Sequence, residues 1–182
     1  MAQARFMLLL FTTVVLATTA HAQNQTADLA GVPGCGDPSA KFSVNKAGDQ
    51  QPVRPESGKA LVYFIEDDSN FDSHPKPTTR AGVDGKWVGA THGNSYFSFS
   101  VDPGVHHLCA SWQSGVILGT DRKTAAAHFT AEAGGIYYFE AKNTTYGTSN
   151  STTTDISLTL LDSDEWALLA DQYELITSQR KK

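Results

Sequence analysis

Between Gly58 and Lys142 the chain is a succession of short apolar, alternating segments separated by hairpin-type turns, and no helix-period segment interrupts it. Runs bounded by Asp84-Gly85, Asp102-Pro103-Gly104 and Gly134-Gly135 are the pattern of β-strands joined by tight turns. Lys59 to Glu66 is the strongest strand, because Leu61, Val62, Tyr63, Phe64 and Ile65 are apolar on both faces. Such a strand suits the middle of a sheet covered on each side.

Further strands are expected at Lys41–Asn45, Arg80–Asp84, Lys86–Ala90, Asn94–Val101, Val105–Trp112, Ala125–Ala131, Ile136–Lys142 and Thr153–Leu161. In the last of these Ile156, Leu158 and Leu160 face inward. The expected fold is an all-β, antiparallel β-sandwich of about seven or eight strands, with a partly open barrel as the other closure. Asp67 to Arg80 reads as a polar loop with two prolines, long enough to carry function, and Asn143 to Thr152 as a Ser/Thr/Asn/Gly loop.

The period changes after Leu161. Asp162 with Glu165 three residues later resembles a capping box, and Trp166, Leu169, Tyr173 and Ile176 then recur at helical spacing. One C-terminal α-helix over residues 162–178 is expected, packed on the β domain or offered to a partner.

Residues 1–22 read as a signal peptide: Arg5, an apolar core from Phe6 to Ala17, then Ala20-His21-Ala22 before the cleavage point. That core is about twelve residues, where a membrane-spanning helix needs roughly twenty. Cys35 follows Val32-Pro33-Gly34 and lies far from the apolar core, so no lipobox is present. The expected product is exported, periplasmic or extracellular, soluble and not a lipoprotein. Removing the leader leaves 13 bases against 19 acids on 160 residues, a net charge of −6. This length suits one domain, residues 58–161, preceded by a polar, largely irregular segment over 23–57. The acidity argues against nucleic acid or anionic lipid as partner. The only basic cluster, Arg180-Lys181-Lys182, reads as a solvated tail.

Two cysteines in an exported chain suggest a disulfide between Cys35 and Cys109. A nucleophilic Cys109 is the other reading, and only His107 would share its strand face. His106 lies with Leu108, Ala110 and Trp112 and is expected to be buried, neutral and hydrogen-bonded. Asp68, Asn70 and Asp72 alternate like the start of an EF-hand loop, but Ser73 and Thr79 replace its turn glycine and bidentate glutamate. No histidine spacing resembles a zinc site, which leaves ligands drawn from separate loops as the other arrangement. Nucleophile elbow, phosphate loop and dinucleotide fingerprint are absent from the sequence. Trp87 or Tyr96 on an outward face would suit a sugar ring or a partner. Asn24, Asn143 and Asn150 begin glycosylation triplets.

The ordered series Gly58–Phe64, Val83–Gly89, Gly93–Phe97, Val101–Leu108 and Ala133–Phe139 resembles an uncharacterised bacterial envelope family, the domain of unknown function numbered twenty-eight forty-six. It is also similar, more weakly, to PEGA-type surface β domains. The resemblance implies a small exported β-sandwich without catalytic residues, in which Asp84, Gly85, Pro103 and Gly104 serve as turn residues and His106 as a structural one. The expected role is a non-enzymatic envelope interaction or structural module, binding an unknown envelope protein or glycan without a cofactor or metal. A carbohydrate or small-ligand binding domain is the alternative, and a hydrolase the third.

Overall fold

In a computed structural model the described residues are 35–48, 54–72, 74–113, 123–148 and 151–182. The expected signal peptide and the first residues of the 23–57 segment lie outside them. The elements, in order, are β1 (Phe42–Lys46), β2 (Ala60–Asn70), β3 (Thr78–Val83), β4 (Lys86–His92), β5 (Ser95–Val101), β6 (Gly104–Trp112), β7 (Thr124–Ala131), β8 (Ile136–Thr148), β9 (Ser151–Leu161), α1 (Ser163–Ala170) and β10 (Glu174–Arg180). They form a β-sandwich of a six-stranded sheet, β1-β10-β5-β2-β8-β9, on a four-stranded sheet, β4-β3-β6-β7. Among the described residues no helix is long and apolar enough to cross a membrane.

The fold class is as expected, with differences of detail. The described residues hold ten strands, and the six-stranded sheet is mixed, because β2 pairs with β8 in parallel and β10 with β5 in parallel. The expected antiparallel pairing holds elsewhere.

As its pattern requires, β2 is central and covered on both faces. Ala60, Val62 and Phe64 enter the core between the sheets with Phe97, Leu108, Ala110, Trp112, Phe129 and Phe139. Leu61, Tyr63 and Ile65 point the other way, where α1 lies across the sheet. Trp166 of α1 seats there, 4.7 Å between ring centroids from Tyr63, 4.9 Å from Tyr138 and 5.0 Å from Tyr96. Packed aromatics in such offset and edge-on arrangements add to simple area burial. In β9, Ile156 reaches the core and Leu158 packs at its margin, whereas Leu160, on the same side, stays exposed.

The C-terminal helix is shorter than expected. Asp162 caps α1 by accepting from Asp164 N and Glu165 N, and Glu165 returns a bond to Asp162 N, so the capping box is real. The helix stops at Ala170 and does not reach residue 178. Residues 174–180 instead form β10, between β1 and β5. Here Leu175 turns to the helix side and Ile176 to the inter-sheet core. Successive apolar residues that serve opposite faces belong to a strand, and β-branched Ile176-Thr177 suits one.

Two expected loops shrink. β2 continues through Glu66-Asp67-Asp68 to Asn70 and β3 starts at Thr78, which leaves a connection over 71–77 instead of 67–80. β8 and β9 likewise extend through most of 143–152 as one long hairpin, paired from Tyr138↔Leu161 to Thr148↔Ser151.

Candidate functional site

The extension of β2 carries three consecutive acids into the protein: Glu66, Asp67 and Asp68 are each 1 % exposed or less. Strand alternation divides them between two networks. Glu66 and Asp68 face inward with Val62 and Phe64. Asn143, on the neighbouring strand β8 of the same sheet, donates from Nδ2 to Glu66 Oε1 (2.9 Å) and to Asp68 Oδ1 (2.7 Å). The Asn143 carbonyl oxygen accepts from Trp112 Nε1 at 2.7 Å, which fixes the orientation of the amide. Thr79 Oγ1 adds a donor to Glu66 Oε1 at 2.7 Å. The Thr91 hydroxyl also lies against Glu66 but gives its proton to Thr79 O.

One oxygen of each acid, Glu66 Oε2 and Asp68 Oδ2, has no hydrogen-bond partner. Burial raises the Glu66 carboxyl well above the ordinary range, and the neighbouring Asp68 charge pushes the same way. Burial likewise raises Asp68, against the opposing Asn143 bond. Two desolvated carboxyls side by side with incomplete donors favour protonated forms.

Asp67 behaves oppositely. Its side chain emerges on the helix side, where Lys142 Nζ (2.7 Å), Tyr173 Oη (2.7 Å) and Ser69 N (2.8 Å) all donate to it. Burial alone would raise it, but these donors outweigh burial and hold Asp67 well below the usual carboxylate range. Tyr173 is raised, by burial and by its bond to that carboxylate. Glu66 and Asp68 thus form a polar part of the sandwich interior, whereas Asp67 ties β2 to Lys142 of β8 and to Tyr173 on the helix side of the sheet.

This burial also decides two motifs. Asp68 and Asn70 are strand residues and the Asp68 carboxylate is committed to Asn143, so the calcium-loop reading fails. Asn143 is fully buried and closed to glycosylation in the folded chain; Asn24 and Asn150 lie outside the described residues.

On the outer face of the four-stranded sheet the Cys35–Cys109 disulfide is present, with Cα atoms 5.5 Å apart. It excludes the nucleophilic reading of Cys109. It holds Cys35–Ala40 across β3 and β4, where Trp87 Nε1 donates to Asp37 O (2.8 Å) and Arg80 donates to Ala40 O (2.9 Å). Arg80 stacks on the Trp87 ring, 4.2 Å from its centroid. Gly82 makes the close approach possible, since a Cβ there would sit 2.5 Å from Cys35 O. Trp87 is thus held beneath the N-terminal segment, and Tyr96 is buried under Trp166. Neither of the two aromatics expected to face outward is available to stack a sugar.

Asp84 and Gly85 have φ of 49° and 77°, the left-handed pair that a two-residue hairpin needs. Asp84 then ties this turn to β6: Oδ1 accepts from His107 N (2.9 Å) and Oδ2 from His106 Nδ1 (2.7 Å). His106 Nε2 meets Asp102 O at 2.7 Å, in the turn that holds Pro103 and Gly104, the latter at φ 140°. Both partners of His106 can only accept, so both ring nitrogens donate and the ring is an imidazolium. Burial opposes the charge, but the Asp84 and Asp102 bonds prevail and raise its pKa. His106 is therefore hydrogen-bonded as expected but partly buried and charged, not neutral. The sequence signal for the pair was the two turns themselves, which bring Asp84 opposite the start of β6.

A shallow cleft of about 290 Å³ lies between β1, β3 and β4, with Thr78, His92, Gln113 and Lys181 on its wall. Its polar groups already serve the fold: His92 Nδ1 bonds Pro77 O (2.8 Å) and Gln113 Nε2 donates to Phe42 O (3.2 Å). Among the described residues no group of three or more His, Cys, Asp or Glu side chains is arranged to hold a metal ion. No protein-family model, no curated protein and no solved structure matches this chain.

Proposed function

We propose that this protein is an exported, non-enzymatic interaction module of the bacterial envelope, which binds a partner protein by taking one of its extended segments as an added strand beside β9. The character of that edge carries the reading. Among the described residues β9 pairs with β8 alone. Its eleven residues, Ser151–Leu161, hold no Lys, Arg or Pro and a single acid, Asp155. β7, which flanks it on the same side of the sandwich, holds no Asp, Glu, Lys or Arg. Natural sheets blunt open edges with lysine, proline, bulges or short strands. The opposite edges carry such devices: β1 ends in Lys46, ion-paired with Glu174 (2.7 Å), and β4 begins at Lys86 beside a register shift at Ala81/Gly82. A long edge rich in threonine, with one acid and no lysine, arginine or proline, suits strand addition by an uncharged Ser/Thr-rich or apolar segment.

The ordered resemblance to an envelope family, the leader-like N-terminus and the disulfide support the compartment. The burial of Glu66, Asp67 and Asp68 and their bonds to Asn143, Lys142 and Tyr173 support a structural use of these acids.

A photo-reactive side chain placed at Ser157, exposed on β9, and at Glu132, exposed in the β7–β8 turn, tests the proposal in the exporting cell. The expected result is one discrete protein adduct from Ser157, lost when the edge also carries Thr159→Lys, and none from Glu132. No adduct at Ser157, or one indifferent to Thr159→Lys, overturns it.

A further inference from the structure

We propose that His107 and His128 form a two-histidine site for a late first-row divalent metal, Cu²⁺ before Zn²⁺, on the outer face of the four-stranded sheet. The register sets His107 of β6 directly opposite His128 of β7. Which kind of opposite pair this is follows from the neighbouring ladder. Trp112 N donates to Lys123 O (3.1 Å), its opposite residue, so 112 and 123 are a hydrogen-bonded pair. Counting along the antiparallel strands, 110/125, 108/127 and 106/129 repeat that type, and 111/124, 109/126 and 107/128 are the alternate, non-hydrogen-bonded pairs. Those bring Cα atoms to about 4.5 Å, with side chains closer than in the other type.

A second pair of the same type and face confirms the closeness: Thr124 Oγ1 donates to Ser111 Oγ at 3.1 Å. Even two short side chains touch across this ladder, so two imidazoles there can turn one nitrogen each toward a common ion at the ~2.0–2.1 Å of a metal–imidazole bond.

Both histidines are exposed. Residues 37–40 of the segment anchored by Cys35 lie against Arg80 of β3 and Trp87 of β4. Asp84 holds the backbone of His107 through Oδ1, which leaves the His107 ring free to rotate toward His128. A pair of neutral imidazoles is a borderline-soft donor set, and affinity for such donors rises to Cu²⁺ and falls again at Zn²⁺. With two protein ligands, water or a partner's side chain fills the remaining positions.

The test is calorimetric titration of chelator-stripped protein with Cu²⁺ and with Zn²⁺, repeated on His107→Ala, His128→Ala and, as a control on another exposed histidine, His74→Ala. The expected result is one tight Cu²⁺ per chain, a weaker Zn²⁺, and at least a tenfold loss of affinity in each of the first two variants with no change in the third. Far-ultraviolet circular dichroism shows that the variants fold, and electron paramagnetic resonance of bound Cu²⁺ reads two nitrogen ligands, one in each single variant. Binding unchanged in His107→Ala or His128→Ala, or no binding, overturns the proposal.

Discussion

Adjacent acids on one strand carry opposite consequences for stability. Glu66 and Asp68 have raised folded-state pKa values, so between the ordinary carboxylate range near pH 4 and those raised values the folded chain binds more protons than the unfolded one. Their contribution to stability is therefore full below that range and is lost as pH rises through the raised values. Asp67 is depressed, so its contribution is present above about pH 4 and is lost as pH falls below it. Glu66→Gln keeps an acceptor for Thr79 and Asn143 and removes a buried charge. It is expected to gain on the native protein as pH rises from 4.5 to 8. Asp67→Asn loses its charge-assisted bonds to Lys142 and Tyr173, at a cost of about 2 kcal/mol at pH 7. Urea midpoints of the three proteins across that pH range check both signs; a Glu66→Gln variant that loses ground toward pH 8 would show that Glu66 is charged and satisfied in the fold.

At the scale of elements, local pattern found those segments whose neighbours in sequence are also their neighbours in space. The β3–β4 and β7–β8 turns were legible in Asp84-Gly85 and Gly134-Gly135, and β2 in its unbroken apolar run. Asp67 and Asp68 read as the start of a loop after that strand, because acids disfavour strands unless they find partners. Their partners, Asn143, Lys142 and Tyr173, lie some seventy-five to a hundred and six residues away, where no local signal reaches. The helix was legible at its start, where capping is local, and not at its end, where pairing with β1 and β5 overrides a helical stripe. Expected site residues divide the same way: the turns of Asp84, Gly85, Pro103 and Gly104 could be read, but not the Asp84–His106 ion pair that charges His106. The helix itself supplies a test. Asp162→Ala removes the cap for about 1 kcal/mol, whereas Trp166→Ala vacates the Tyr63–Tyr96–Tyr138 cluster and should cost about 3 kcal/mol or more. Thermal denaturation followed by near-ultraviolet circular dichroism ranks the two; equal losses would mean that α1 rests on its cap and not on its tryptophan.

For the whole molecule, the disulfide closes more than a loop. Cys35 and Cys109 are 74 residues apart in sequence, and the bond holds a segment over β3 and β4 that satisfies Trp87 and Arg80. In the chain-entropy account, a loop of this length stabilises the fold by about 4 kcal/mol, which for a domain of this size corresponds to a fall in Tm on the order of 10 °C when it opens. The sandwich core does not depend on it, because Phe64, Leu108, Trp112, Phe129 and Phe139 pack between the sheets without contribution from residues 35–40. Reduction is therefore expected to lower Tm by that amount while the β-sheet signal persists at room temperature. A Cys35→Ala/Cys109→Ala variant should match the reduced protein and ignore reductant. If reduction instead unfolds the chain at room temperature, the clamp and not the inter-sheet core is what holds this sandwich closed.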